Sequence, residues 1–394
     1  MITQTLYWYL GLRGLAMFAM SLHFAIYSTF LLSRGLNLFQ INLVNVAFYT
    51  TLFVFEIPTG AFADIFGRKT SVVLAGVFSA IGTLTYYLAS GFWGFAAAES
   101  LLAIGSTFLS GAFTAWAIDR LRHFGHETDL KKLFVRENQV VQVVGIFGGL
   151  VGSWIGAKSL SLTWLASSLL FLFWTALAFL GLREEYFVRK KFSFSAGFLA
   201  LKNIARSSVT FGLRHKTVRF ILLVGALQYL CVMPMNMQWQ PWFGQFFHSV
   251  ADNGWLWVAM SVMVLLGSSA THWMMKLSRG ETAALMFTQL AIGLTMAGTA
   301  AFRVFPLSLT VFLAHEFFRG LFKPIKDAYL NDQLPAAERA TVISFEAISH
   351  HVGGGLGLVL SGVVALQNGI AFTWVVFGLT LAFGSLIVYR TSRA

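Results

Sequence analysis

The chain has 394 residues, 57% of them apolar and only 11% charged, with a net charge of +12 and a mean hydropathy of +0.71. So few charges cannot cover the surface of a soluble domain of this length, which excludes a water-soluble globular protein. The single cysteine, Cys231, excludes an internal disulfide and argues against a cysteine-based metal site.

At about 20 residues per bilayer crossing, a dozen helices take roughly 240 residues, leaving short loops and one longer link. Apolar stretches fall near 6–32, 38–60, 70–91, 93–118, 137–157 and 159–182, and again near 218–240, 254–275, 281–302, 305–328, 340–366 and 370–390. Their length favours helices over the short alternating strands of a barrel, so an all-α polytopic membrane protein is expected. The start, Met1-Ile2-Thr3-Gln4, has neither a basic region nor a small-residue cleavage site, so the first stretch reads as a retained helix.

Span one carries Arg13, His23 and Tyr27, and span two carries Tyr49 and Glu56. Arg13 and Glu56 lie at similar depths, where they could neutralise one another or serve in proton coupling. Span two runs into Gly60-Ala61-Phe62-Ala63-Asp64-Ile65-Phe66-Gly67-Arg68-Lys69-Thr70, a charged hairpin between two apolar stretches. Gly60 suits a close helix approach and Gly67 a tight turn. Asp64 is placed to accept hydrogen bonds or meet the positive end of a neighbouring helix, while Arg68 and Lys69 anchor the loop.

The form Gly-x-x-x-Asp-x-x-Gly-Arg-Lys, extended by Glu56-Ile57-Pro58-Thr59-Gly60, resembles the cytoplasmic loop between helices two and three of the major facilitator superfamily, especially bacterial drug:proton antiporter-like efflux members. The resemblance implies twelve helices in two pseudo-symmetric six-helix bundles that alternate access around a central site. It also implies that this loop closes the inner side, with Asp119 in Trp116-Ala117-Ile118-Asp119-Arg120 as the partner of Arg68.

Further along, span four holds Glu99, and Leu102 stands where many antiporters of that family carry a buried arginine. Span five has Gly145, Gly148, Gly149, Gly152 and Gly156, spaced for close helix crossing, without the Gly-Pro ending of the antiporter motif. Residues 183–217 form the longest polar stretch, with Phe198, Leu201, Ile204 and Phe211 near one helical face and Lys202 and Arg206 on another. That pattern suggests an amphipathic helix on the membrane surface, between a bundle at 1–182 and another at 218–394. At a spacing of 208 residues, Asp119, Val144, Gly145, Gly149, Ser153 and Ala157 recur as Asp327, Val352, Gly353, Gly357, Ser361 and Ala365. The second half answers the loop motif only with Met274-Met275-Lys276-Leu277-Ser278-Arg279-Gly280, which has no acid in the place of Asp64.

Span seven alternates Met233, Met235 and Met237 around Pro234, near Tyr229, Asn236, Trp239 and Trp242. Methionine with aromatics suits an adaptable apolar site, so Tyr27, Tyr49, Tyr229, Asn236 and Trp239 are the substrate-cavity candidates. Span ten holds His315, Glu316 and Arg319, and span eleven Glu346, His350 and His351. If these spans face each other, Glu316, Arg319, Glu346 and His350 form one polar cluster able to take and release protons.

With both termini inside, Arg34, Lys158 and Arg303 lie outside and Arg13 and Arg319 within spans, so the other 23 of 28 basic residues are cytoplasmic. That scatter makes the positive charge a matter of topology and gives nucleic acid no continuous surface. No Gly-rich loop ending in Gly-Lys-Ser/Thr and no His-Glu-x-x-His pattern occurs, so neither ATP use nor a metalloenzyme is indicated, and no cofactor or metal is expected. The expected protein is a monomeric secondary transporter of a bacterial inner membrane, embedded in lipid and exporting an amphipathic small molecule against protons. An uptake permease for a nutrient or metal-chelating metabolite, and a lipid flippase or sensor, stay open.

Overall fold

The computed structural model describes residues 2–125, 130–187, 216–278, 280–333 and 336–393, with side chains at all of these except 131, 331, 333, 336–348 and 391–393. The amphipathic stretch around Phe198–Phe211, Arg279 and the Glu346 side chain lie outside the described residues.

Every regular element among the described residues is an α-helix. A segment in lipid has no water to satisfy its amides and must bond within itself. Span one is α1 (Ile2–Ser21) and α2 (Tyr27–Ser33), interrupted at 22–26, and α3 (Leu38–Phe66) follows. Gly67 then turns the chain into α4 (Arg68–Leu88). Helices α5 (Gly91–Leu109) and α6 (Ala112–His123) meet at Gly111, whose φ is +66°, and α7 (Leu130–Lys158) and α8 (Leu160–Gly181) complete the first series.

The second series is α9 (Lys216–Gly244), α10 (Asp252–Ser269) and α11 (Thr271–Leu277) with a 52° bend between them, α12 (Glu281–Ala301), α13 (Phe305–Gln333) and α14 (Ala336–Arg393). Helix α14 is two rods that turn at Gly369, where φ is 81° and ψ 173°. Helix α9 runs unbroken through Pro234 and Pro241.

Eight helical stretches among the described residues are long and apolar enough to cross a membrane, or nine if the bent α10–α11 pair is one span. Residues 2–33 and 305–333 are not among them. The first is interrupted and holds Arg13, and the second carries Glu316, Arg319, Lys323, Lys326 and Asp327. With these two, and with α14 taken as two rods, the arrangement is consistent with six spans in each half.

The chain divides into two compact units. One comprises Met1–Leu36, Val44–Phe198 and Phe247–Val258, the other Asn37–Leu43, Leu199–Phe246 and Ala259–Ala394. Lipid tails are as apolar as leucine, so close packing and inter-helix hydrogen bonds hold each unit together. In the first, α7 lies so tightly on α1 that a Cβ at Gly152 would overlap the Leu22 carbonyl. Buried Trp174 donates from Nε1 to the Leu12 carbonyl at 2.7 Å, and Ser167 and Ser168 donate to the carbonyls of Ala19 and Ala80 at 2.6 and 2.9 Å.

In the second unit, the first rod of α14 packs on α9, with Gly353 against Ala226 and Gly357 against Leu230. The second rod packs on α12 through Gly293 and Gly378. The repeat is kept in part: Gly145 faces Met17 of span one as Gly353 and Gly357 face span seven, whereas a Cβ at Gly149 would meet Trp257.

Candidate functional site

The hairpin is built by Gly67, whose φ of +98° is open to glycine at little cost. The first amides of a helix have no partner within it. Here Arg68 N and Lys69 N donate to Oε1 and Oε2 of Glu184 at 2.8 and 3.0 Å. A carboxylate at this position also meets the positive end of the α4 dipole. Glu184, not Asp64, occupies that place, and the sequence reading had not singled it out. Arg68 Nη1 donates to Asp119 Oδ2, and the Lys69 ammonium lies 5.1 Å from the centre of the Phe179 ring.

Asp64 is exposed and, with Ala63, Arg68, Asp119, Glu184 and Tyr186, lines a cavity of about 200 Å³. Gly60 is also exposed, and a Cβ there would meet nothing within 4 Å. The close helix approach expected at Gly60 is therefore absent among the described residues.

The residues just after α8 fasten this end of the unit. Trp116 Nε1 donates to the Arg183 carbonyl at 2.9 Å, and Tyr186 Oη donates to the Trp116 carbonyl at 3.0 Å. Buried Arg120 pairs with Glu185 at 3.4 Å. Burial, and then the Glu184 carboxylate, push the Tyr186 hydroxyl well above its ordinary value, so it keeps the proton it donates.

Arg13 does not neutralise Glu56. Its Nε lies 2.8 Å from Glu137 Oε1 on α7, and its Nη2 donates to Thr114 Oγ1 at 3.2 Å. Tyr9 Oη donates to the other oxygen of Glu137 at 2.5 Å, which completes a half-buried knot among α1, α6 and α7. Glu56 is exposed and accepts a 2.6 Å hydrogen bond from Ser110 Oγ. The expected pair fails because Arg13 faces α6 and α7, where Thr114 and Glu137 meet it; in sequence Glu137 stands beside Arg136 at the start of an apolar stretch.

In the second unit Glu316 is 2% exposed and accepts from Arg319 Nη1 at 2.9 Å, one helical turn along α13. His315 beside it is fully buried, with Nδ1 3.1 Å from the Ile292 carbonyl on α12. His350 does not join them. Its ring packs on Tyr229 of α9, 3.8 Å between centroids, and it lies against Gly225. Neighbouring Ser349 donates to the Leu222 carbonyl at 3.2 Å, so this face of α14 belongs to α9. Of the expected cluster, Glu316 is paired with Arg319 and His350 is stacked on Tyr229, while the Glu346 side chain lies outside the described residues.

Among the cavity candidates, Trp239 is buried, while Tyr49, Tyr229 and Asn236 are half-buried. Tyr27 Oη lies among Asn45, Tyr86 and Glu99. Glu99 on α5 is 7% exposed and accepts from Tyr86 Oη on α4 at 2.6 Å, with Tyr27 Oη 3.5 Å from its other oxygen. Asn45 Nδ2 donates to Tyr27 Oη at 2.9 Å, and Tyr86 stacks on Trp164 at 3.9 Å. No group of three or more His, Cys, Asp or Glu able to hold a metal ion occurs among the described residues.

Comparison with known proteins places this geometry in context. The family model described as Major Facilitator Superfamily matches residues 10–314. An uncharacterized MFS-type transporter of Bacillus subtilis (strain 168), YxaM, is 21% identical over 378 residues, 95% of this chain and 92% of that protein. Among solved structures, the nucleoside transporter NupG superposes with a TM-score of 0.76 at 15% identity, over 98% of this chain and 99% of that one. A bacterial homolog of the human lysosomal transporter Spinster does so with a TM-score of 0.76 at 13% identity, over 100% and 97%. At these identities the structural likeness speaks for the fold.

Proposed function

Because this chain belongs to the major facilitator superfamily, and is thus a multi-pass membrane transporter of small molecules and not an enzyme, we propose that it exports an amphipathic small molecule in exchange for protons. The observation that carries the coupling is the Glu316–Arg319 pair. A carboxylate and a guanidinium inside a membrane span are costly, and removing the charge of one leaves the other without its partner. A proton arriving on Glu316 therefore changes the forces on Arg319 and on the helix that carries both.

An amphipathic substrate is supported by α9, where Met233, Met235, Trp239 and Trp242 are buried near Pro234 and Pro241. Thioethers and aromatic rings adapt to varied apolar shapes while a few polar groups orient them. Tyr229, Asn236 and Trp239 are the residues of this unit that we assign to that contact.

Alternating access is gated at the α3–α4 hairpin, where Arg68, Asp119 and Glu184 tie the start of α4 to α6 and to the residues after α8. The excess of basic residues on one set of loops supports a plasma-membrane protein with both termini in the cytoplasm. The transporter acts as a monomer.

The test uses purified protein in liposomes with an imposed pH gradient and an interior pH dye, screened against cationic amphiphiles, sugars, amino acids and chelators. A compound-dependent proton flux that disappears in Glu316→Gln is the expected result. Proton flux retained in that variant rejects coupling through Glu316, and labelled uptake without proton movement makes the protein a facilitator.

A further inference from the structure

We propose that Glu99 is a separate proton-binding site, carried wholly by the first unit, and that its proton closes a ring of hydrogen bonds joining α2, α4 and α5. It deepens the proton-coupled reading and rests on it only for what the proton does during transport.

The inference begins with what faces the carboxyl. From α4 comes Tyr86 Oη at 2.6 Å, and from α2 comes Tyr27 Oη at 3.5 Å. Asn45 of α3 reaches Tyr27, not the carboxyl. Among the described residues no cation pairs with Glu99. His23 lies behind Trp164, its ring stacked on the indole at 4.2 Å. Arg34 is on the far side of Phe30, 5.3 Å from that ring's centre, and donates to Ser161 at 2.7 Å. Among the described residues, an ionised carboxylate here has two neutral donors and nothing of opposite charge.

Counting hydrogens explains the arrangement. Each tyrosine hydroxyl has one proton to give, and Tyr27 Oη already accepts from Asn45. Tyr27 and Tyr86 hydroxyls are 3.2 Å apart. With Glu99 ionised, two hydroxyl protons serve three edges, so either the contact between the tyrosine oxygens or the one between Tyr27 and the carboxylate has no hydrogen in it. With Glu99 neutral, three protons serve three edges. The acid O–H at Oε1 donates to Tyr27, Tyr27 donates to Tyr86, and Tyr86 donates to Oε2. Every edge of the ring has a hydrogen in it only when the proton is bound, and a half-satisfied buried network is worse than none. The one bond that changes is the acid O–H: water reaching the ring takes the Oε1 proton as hydronium, and a proton delivered by water returns to Oε1 before water is excluded.

Infrared difference spectra of the purified protein in phosphatidylethanolamine–phosphatidylglycerol vesicles, stepped from about pH 5 to about pH 9, read this directly. The expected result is a carboxylic-acid carbonyl band that shifts in heavy water, fades as pH rises and is missing from Glu99→Gln. Tyr86→Phe, which keeps the ring and removes the donor to Oε2, moves the band to higher frequency. Identical spectra for wild type and Glu99→Gln, a Glu99 band that persists unchanged over the whole range, or a band unmoved by Tyr86→Phe each overturn the proposal. No substrate is added, so a transporter without proton coupling leaves a titrating Glu99 band standing. Proton flux lost in Glu316→Gln with no Glu99 band retires this site and keeps the coupling.

Discussion

Glu316 and Glu99 are both carboxyls buried within spans, and they are held in opposite ways. Glu316 has its partner, Arg319, one turn along the same helix, whereas Glu99 is met by tyrosines from two other helices and by no cation. A partner in the same helix survives any movement of that helix. Partners on other helices are kept only while the helices stay together. Among the described residues, the same residue type is therefore paired within its own helix in one unit and hydrogen-bonded across helices in the other.

The sharpest way to break this comparison is to remove what each carboxyl leans on. Arg319→Gln strands a buried acid and should cost about 3 kcal/mol of stability in detergent. Glu99→Gln keeps a hydrogen-bonding side chain and strands no charge, so its cost should stay within about 1.5 kcal/mol. Denaturant or thermal unfolding of the two variants decides it. Equal losses mean that a cation faces Glu99 after all.

The contrast extends to the repeat pair Asp119 and Asp327, and there a smaller effect is expected. Asp327 pairs with Lys323 of its own helix, with the lysine 79% exposed, while Asp119 holds Arg68 of another helix. Asp327→Asn should change stability by less than about 0.5 kcal/mol, the usual worth of such an exposed pair. Asp119→Asn should cost about 1 kcal/mol, since both side chains are partly exposed and screened, and should speed amide exchange in the first turn of α4. Unchanged exchange there would mean that Glu184 alone holds the hairpin.

The smallest effect belongs to Tyr186. Its folded hydroxyl holds its proton more tightly than an unfolded tyrosine, which titrates near pH ~10. The stability it contributes is complete below that pH and is lost as the pH rises beyond it, because only the unfolded chain then releases the proton. The stability difference between wild type and Tyr186→Phe should therefore narrow above pH ~10, and a constant difference would show that the hydroxyl titrates normally.

What the sequence made legible follows from what it measures. Hydropathy is a property along the chain, and the spans follow it except in 2–33 and 305–333, whose polar residues lower the signal. The Glu316–Arg319 pair was readable because a three-residue spacing fixes geometry within a helix. The hairpin was readable because Gly67 must turn there. The partners of Arg13, Glu99 and α4's first amides were not, since Glu137, Tyr27 and Glu184 lie 72 to 124 positions away across helices that periodicity does not orient. The Arg13–Glu56 pairing failed for the same reason: equal depth on two helices says nothing about which faces meet.

The fastening of residues 183–187 onto α4 and α6 also sets where this polypeptide can be divided. A gene split after the codon for Phe187 leaves the first fragment with its own helix cap and its Trp116–Arg183 clasp. A split after Leu182 produces a fragment whose α4 begins with two bare amides and whose tryptophan has lost its acceptor. Inserted tags, protease sites and complementation breakpoints therefore belong beyond Phe187, where cutting the chain removes none of these bonds.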